Sequence, residues 1–86
     1  MTPLIERDVL KTQIYLLIKK YSSHTDLILT EDMSVQDLGV DSIDLMEIIF
    51  HLEESYKIEI EEGKLESLSK LSDIIDLAAN SQPESQ

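Results

Sequence analysis

The sequence predicts an all-α fold, a four-helix bundle of three long helices and one short one. Three observations carry this. Apolar residues recur at helical spacing in three separate stretches. A glycine turn and a capping aspartate stand immediately before the most strongly patterned of them. The one alternating stretch, Lys57-Ile58-Glu59-Ile60, has no convincing second strand to pair with and reads as an extended connection whose isoleucines plug the core. A chain of 86 residues makes one small domain, placed here at residues 1–80, with a modest core. The polar residues 81–86 are expected to form a disordered tail.

Thr2 and Pro3 read as the N-cap and first residue of the first helix. Leu10, Ile14, Leu17 and Tyr21 then fall on one face, widened by Val9 and Ile18. Lys19 and Lys20 suit the negative end of its dipole. Residues 22–41 form a long connection between the first and second helices. Its apolar residues Leu27, Ile28, Leu29, Met33, Val35 and Leu38 need cover, so the loop is expected to pack over the helices. Ser34 with Asp37 resembles a short capped turn.

The second helix runs from about Ser42 to Tyr56. Leu45, Ile48, Ile49, Leu52 and Tyr56 cluster as its core face, while Ile43, Met46 and Phe50 form a stripe on roughly the opposite side. A helix in a small domain seldom buries two sides. The second stripe is therefore either exposed for partners or covered by the long loop. Glu61 to Ser67 reads as the short helix, weakened by Gly63. The last helix starts at Ser69 or Lys70, buries Leu71, Ile74, Ile75 and Ala78, and ends at Asn80.

Composition excludes several classes. The net charge of −11 argues against nucleic acid, whose phosphates need lysine and arginine, and favours partners with basic patches. The excess is concentrated in residues 41–66, where Asp41, Asp44, Glu47, Glu53, Glu54, Glu59, Glu61, Glu62 and Glu66 face only Lys57 and Lys64. The same charge also serves solubility alone. No cysteine is present, so disulfides, thiolate metal sites and a cysteine nucleophile are out. No apolar run is long enough to span a membrane, and the N-terminus lacks the order of a signal peptide. A cytoplasmic monomer without membrane insertion is the expectation. No metal site is expected: the acids at 59–62 lack the order of a calcium loop, and the two histidines match no common ligand spacing.

The run Leu38-Gly39-Val40-Asp41-Ser42-Ile43-Asp44-Leu45-Met46-Glu47-Ile48 organises the chain. Gly39 takes a positive φ cheaply just before a helix. Asp41 is a good N-cap, and Asp44 puts a second anion near the positive end of the dipole. Ser42 then stands at or beside the first helical position with a reachable hydroxyl, where a phosphate on that oxygen would meet a helix N-terminus. Taken alone, Ser42 reads as a plain helix-start residue, since serine is common there. As a hydrolytic nucleophile it lacks the second glycine of the Gly-x-Ser-x-Gly elbow. His51 lies about 14 Å along the same helix, too far to be its base, while His24 in the long loop is not excluded by distance.

Leu-Gly-Val-Asp-Ser-Ile followed by Asp-Leu-Met-Glu-Ile resembles the prosthetic-group attachment motif of acyl carrier proteins. The resemblance extends from about Leu4 to about Ala79 in length, charge and helix order. It implies that Ser42, beside Asp41, carries 4′-phosphopantetheine as a phosphodiester. It implies a non-enzymatic function, with no catalytic residue. A phosphopantetheinyl transferase loads the arm from coenzyme A. Acyl groups are then held as thioesters on the arm's thiol and delivered to acyl transferases, ketosynthases and other acyl-chain enzymes with basic docking patches. The second helix is the recognition helix of that family. By position, Ile43, Met46 and Phe50 would be its apolar contacts, and Asp41, Asp44, Glu47, Glu53 and Glu54 its acidic ones. In the family the bundle opens to shelter the acyl chain, here among Ile48, Leu52, Ile60, Leu68 and Ile74.

The pathway implied is fatty-acid synthesis or a related polyketide or specialised lipid route. Phe50, His51, Lys57 and Lys64 depart from the commonest fatty-acid carriers and leave housekeeping and specialised routes both open. An amino-acyl or peptidyl carrier uses the same chemistry, although aspartate before the serine favours the acyl type. An acidic helical adaptor that never carries a prosthetic group is the alternative from another class.

Overall fold

The computed structural model of the chain describes residues 6–24 and 26–83. In order, the elements are α1 (Arg7–Tyr21), a first 3-10 helix (Val35–Leu38), α2 (Ser42–Tyr56), β1 (Ile58–Glu59), a second 3-10 helix (Glu62–Ser67), α3 (Leu71–Ala79) and β2 (Gln82–Pro83). The chain is mainly helical. The stretch expected as the short fourth helix is wound as a 3-10 helix, with its N–H groups reaching three residues back, as in Lys64 to Glu61 and Leu68 to Leu65.

α1 buries Leu10, Ile14, Leu17 and Ile18, the four apolar positions of a single helical face. Glu6 before it is extended. The start at Thr2 and Pro3 falls outside the described residues. Val9 does not widen the buried stripe. It is 48% exposed and shares the outer face with Leu16, from which it stands two turns away.

The long connection is fastened at both ends. Leu38 is fully buried, and Leu27, Leu29, Met33 and Val35 pack half-buried against the core. Ile28 is the correction to the expected cover: it is 83% exposed, pointing away between two inward-facing leucines as an extended segment requires. Ser34 caps the first 3-10 helix, its hydroxyl accepting the Gln36 N–H and its carbonyl the Asp37 N–H. The loop also supplies what α3 lacks. The first N–H groups of a helix have no partner within it. Leu71 N–H donates to the Met33 carbonyl at 2.8 Å and Ser72 N–H to the Glu31 carbonyl at 2.9 Å. The Asp73 carboxylate accepts the N–H groups of Ser69 and Lys70, which holds it below the usual carboxylate range. Side chains reinforce the join, because Arg7 spans Glu31 and Asp76 while Lys11 also reaches Glu31.

α2 ends at Lys57, which adopts a left-handed conformation with φ 55° and donates its N–H to the Glu53 carbonyl. That reversal directs Ile58 and Ile60 into the core, where they are 5% and 4% exposed, as the alternating pattern implied. The segment has a partner after all. β1 pairs antiparallel with β2, Ile58 opposite Pro83 and Glu59 opposite Gln82. Nothing in Gln82-Pro83 alternates, and proline is confined to sheet edges, so sequence could not announce this pairing. Ser81, expected in the tail, donates its hydroxyl to the Leu77 carbonyl at 2.6 Å. Residues 84–86 lie outside the described residues. The core joins the inner faces of α1, α2 and α3, with Ile14, Ile48, Leu52, Leu71 and Ile75 fully buried.

Candidate functional site

Ser42 is the first residue of α2 and is exposed. Everything that places it is local and cross-braced. The first 3-10 helix ends on Gly39, whose φ of 74° and ψ of 23° turn the chain in a left-handed step. A Cβ there would stand 2.5 Å from the His24 ring and 2.7 Å from the Ser22 hydroxyl oxygen, so glycine is required by both conformation and space. Ser22, the residue just past α1, donates its hydroxyl to the Leu38 carbonyl at 2.6 Å, and Ser23 N–H donates to the Gly39 carbonyl at 3.0 Å. The turn before Ser42 is thereby tied to the C-terminal end of α1. On the other side, Asp41 caps α2. Its carboxylate accepts the Asp44 N–H at 2.8 Å, while the Asp44 carboxylate reaches back to the Asp41 N–H at a longer 3.5 Å.

The site fits a phosphodiester on chemical grounds. Ser42 is exposed, and the unpaired N–H groups of the first turn favour an anion. It does not assemble a catalytic dyad: the His51 ring nitrogen is engaged with the Tyr21 hydroxyl at 3.1 Å. The His24 ring instead covers the Cα side of Gly39.

The expected partner-binding residues share α2 but not one environment. Ile43 and Phe50 are 71% and 50% exposed, while Met46 between them is half-buried. Asp41, Glu47 and Glu54 are exposed, and Asp44 is half-buried within the capping box. Glu53 is half-buried, with its carboxylate accepting the Ile60 N–H at 3.0 Å. It therefore braces the exit of α2 as a structural group. The opposite face carries Ile48, Ile49 and Leu52 into the core. Sequence reasoning missed the bonds from Ser22 and Ser23, the His24 contact with Gly39 and the Glu53 bond. Each joins residues whose chain separation carries no local signal; the serines after α1 were read only as a helix stop.

Comparison with known proteins bears on this same stretch. Residues 14–78 match the family model described as a phosphopantetheine attachment site. The chain is similar to the acyl carrier protein of Campylobacter lari, 32% identical over 66 residues that make up 77% of this chain and 86% of that protein. Similarity to the acyl carrier protein of Campylobacter jejuni strain RM1221 is 34% over 64 residues, 74% and 83% of the two chains. With the acyl carrier protein of Nitratidesulfovibrio vulgaris strain DP4, identity is 42% over 48 residues, 56% and 63% of the two chains. The fold and the site thus define a small helical, non-catalytic carrier. The chain belongs to the acyl carrier protein family, whose prosthetic group is 4′-phosphopantetheine.

Proposed function

We propose that Ser42 carries the 4′-phosphopantetheine group and that the protein presents acyl thioesters on it to the enzymes of fatty-acid or related polyketide or specialised lipid synthesis. The observation that supports this most is the position of Ser42. It is exposed at the first residue of α2, on a turn fixed by Gly39 and Asp41, inside the stretch that matches the attachment-site family. In loading, the Ser42 oxygen bonds to phosphorus, the bond from that phosphorus to the nucleotide side of coenzyme A breaks, and the hydroxyl proton leaves. The reciprocal bonds of Asp41 and Asp44 fix the backbone on either side of Ser42 at the helix start. The group itself supplies a thiol, which the chain lacks.

Docking falls to α2. Ile43 and Phe50 offer exposed apolar surface, and Asp41, Glu47 and Glu54 offer the surrounding charge to a transferase, an acyl transferase or a ketosynthase with a basic patch. Steering by charge serves the on-rate, and the small apolar contact keeps release fast. The second 3-10 helix takes the place of the short fourth helix of the bundle. Ile48, Leu52, Ile60 and Ile74 are packed closed, so sheltering an acyl chain among them requires the helices to part. Aspartate before the serine favours acyl over amino-acyl cargo.

Intact mass after incubation with coenzyme A and a broad-specificity phosphopantetheinyl transferase tests the attachment. A gain equal to the phosphopantetheine group, absent in Ser42→Ala, is expected. No gain in folded protein, with the transferase active on a control carrier, would leave the acidic adaptor as the better account.

A further inference from the structure

Beside the Ser42 turn lies an open pocket of about 320 Å³, lined by Lys19, Ser22, His24, Asp26 and Leu27. It sits at the C-terminal end of α1, and neither Ile43 nor Phe50, the exposed apolar residues of α2, is among its lining residues. Its frame is the same set of bonds that fixes the attachment site. Ser22 donates to the Leu38 carbonyl and accepts the His24 N–H at 3.0 Å, and the His24 ring rests on Gly39 where any side chain would displace it. The Ser22 bonds thus join the pocket wall to the turn that precedes Ser42.

We infer that this pocket is the resting site of the distal half of the phosphopantetheine arm. The inference rests on attachment at Ser42, and distance allows it. The His24 ring stands within about 4 Å of the Gly39 Cα, and the three residues from Gly39 to Ser42 span at most about 11 Å, so the ring is within about 15 Å of Ser42. The arm carries about fourteen bonds from the serine oxygen to the thiol, which is about 16 Å at the polypeptide's extension per three bonds. The phosphate stays at the start of α2, and the amide-bearing end reaches the pocket.

The lining suits that end. Two amides need donors and an acceptor. Lys19 and His24 donate, and the Asp26 carboxylate accepts. The half-buried Leu27 offers apolar contact. Lys19 forms no ion pair among the described residues, so its ammonium is available. An arm lying here leaves Ile43 and Phe50 uncovered. A partner enzyme then docks on α2 first, and the arm swings across afterwards.

The test compares backbone amide and imidazole NMR shifts of the unmodified protein with those of protein loaded from coenzyme A, loading being verified by intact mass. Shifts at Lys19, His24 and Leu27, lost in loaded Lys19→Glu and in loaded His24→Ala, are expected. Both changed side chains are exposed, and retained helical circular dichroism confirms folding. Complete loading with shifts confined to Asp41–Glu47 would overturn the pocket while leaving the carrier function standing. Absence of any mass gain would instead remove the attachment itself and the inference with it.

Discussion

Replacing Gly39 by alanine should cost about 2–3 kcal/mol, and the structure divides that cost. The left-handed φ of 74° is disfavoured for any residue with a Cβ by about 1–2 kcal/mol. The new methyl carbon would also stand 2.7 Å from the Ser22 hydroxyl oxygen, which is anchored by its bonds to Leu38 and His24. Displacing it weakens those bonds without breaking both, a further loss of about 1 kcal/mol. The third contact, the His24 ring at 2.5 Å, is exposed and swings away at little cost. In urea unfolding followed by far-ultraviolet circular dichroism, with a slope of about 1 kcal/mol/M for so small a domain, the midpoint should fall by about 2–3 M. Adding His24→Ala to Gly39→Ala should restore less than about 0.5 kcal/mol, because the ring is the soft contact. Gly63→Ala is the internal control. That glycine has no atom near its missing Cβ and no positive φ, so the change should be neutral or stabilise by about 0.5 kcal/mol. A loss below about 0.5 kcal/mol for Gly39→Ala would refute the account of the turn. The same variant should slow loading of Ser42, since the serine follows the displaced turn by three residues.

Three further outcomes follow from named contacts. Lys57→Gly should raise stability by about 0.5–1 kcal/mol in the same unfolding assay, because Lys57 holds a left-handed φ of 55° that glycine adopts without strain. Glu31 is held down to about 2, first by the hydrogen bond from Arg7 and then by that from Lys11. Its stabilising contribution is complete above its ordinary value of 4.5 and is lost as pH falls towards 2, so Glu31→Gln should flatten the acid limb of a stability–pH profile between those values. Unchanged acid sensitivity would mean that the Arg7–Glu31 pair contributes nothing to folding. Ile43→Glu, at a position 71% exposed, should change stability by less than about 0.5 kcal/mol. It should nevertheless slow loading by a phosphopantetheinyl transferase about 5- to 30-fold, the loss expected of a central apolar contact of 1–2 kcal/mol. Loading at the parent rate would place the docking face elsewhere.

What sequence alone determined about this protein is whatever depends on neighbours along the chain. The 3.6-residue period of Leu10, Ile14 and Leu17, and of Leu71, Ile74, Ile75 and Ala78, marked faces that the structure buries. Gly39, Asp41 and Asp44 announced the turn and capping box that present Ser42, because capping acts across three residues. The family resemblance rested on that run together with the length, charge and helix order of the chain. Tertiary structure decided the rest. Whether Val9, Ile28 and Phe50 face water depends on which other elements reach them, and a helical wheel holds no such information. Glu53 looks like every other exposed acid of α2 until the chain reverses at Lys57 and brings the Ile60 N–H to it. Gln82 and Pro83 become a strand only because α3 returns them to Ile58 and Glu59. The loop carbonyls of Glu31 and Met33 complete the start of α3 across some forty residues of chain. Hydrogen-bond donors left open by one element are satisfied by whichever acceptor folding brings near, and that pairing exists only in three dimensions.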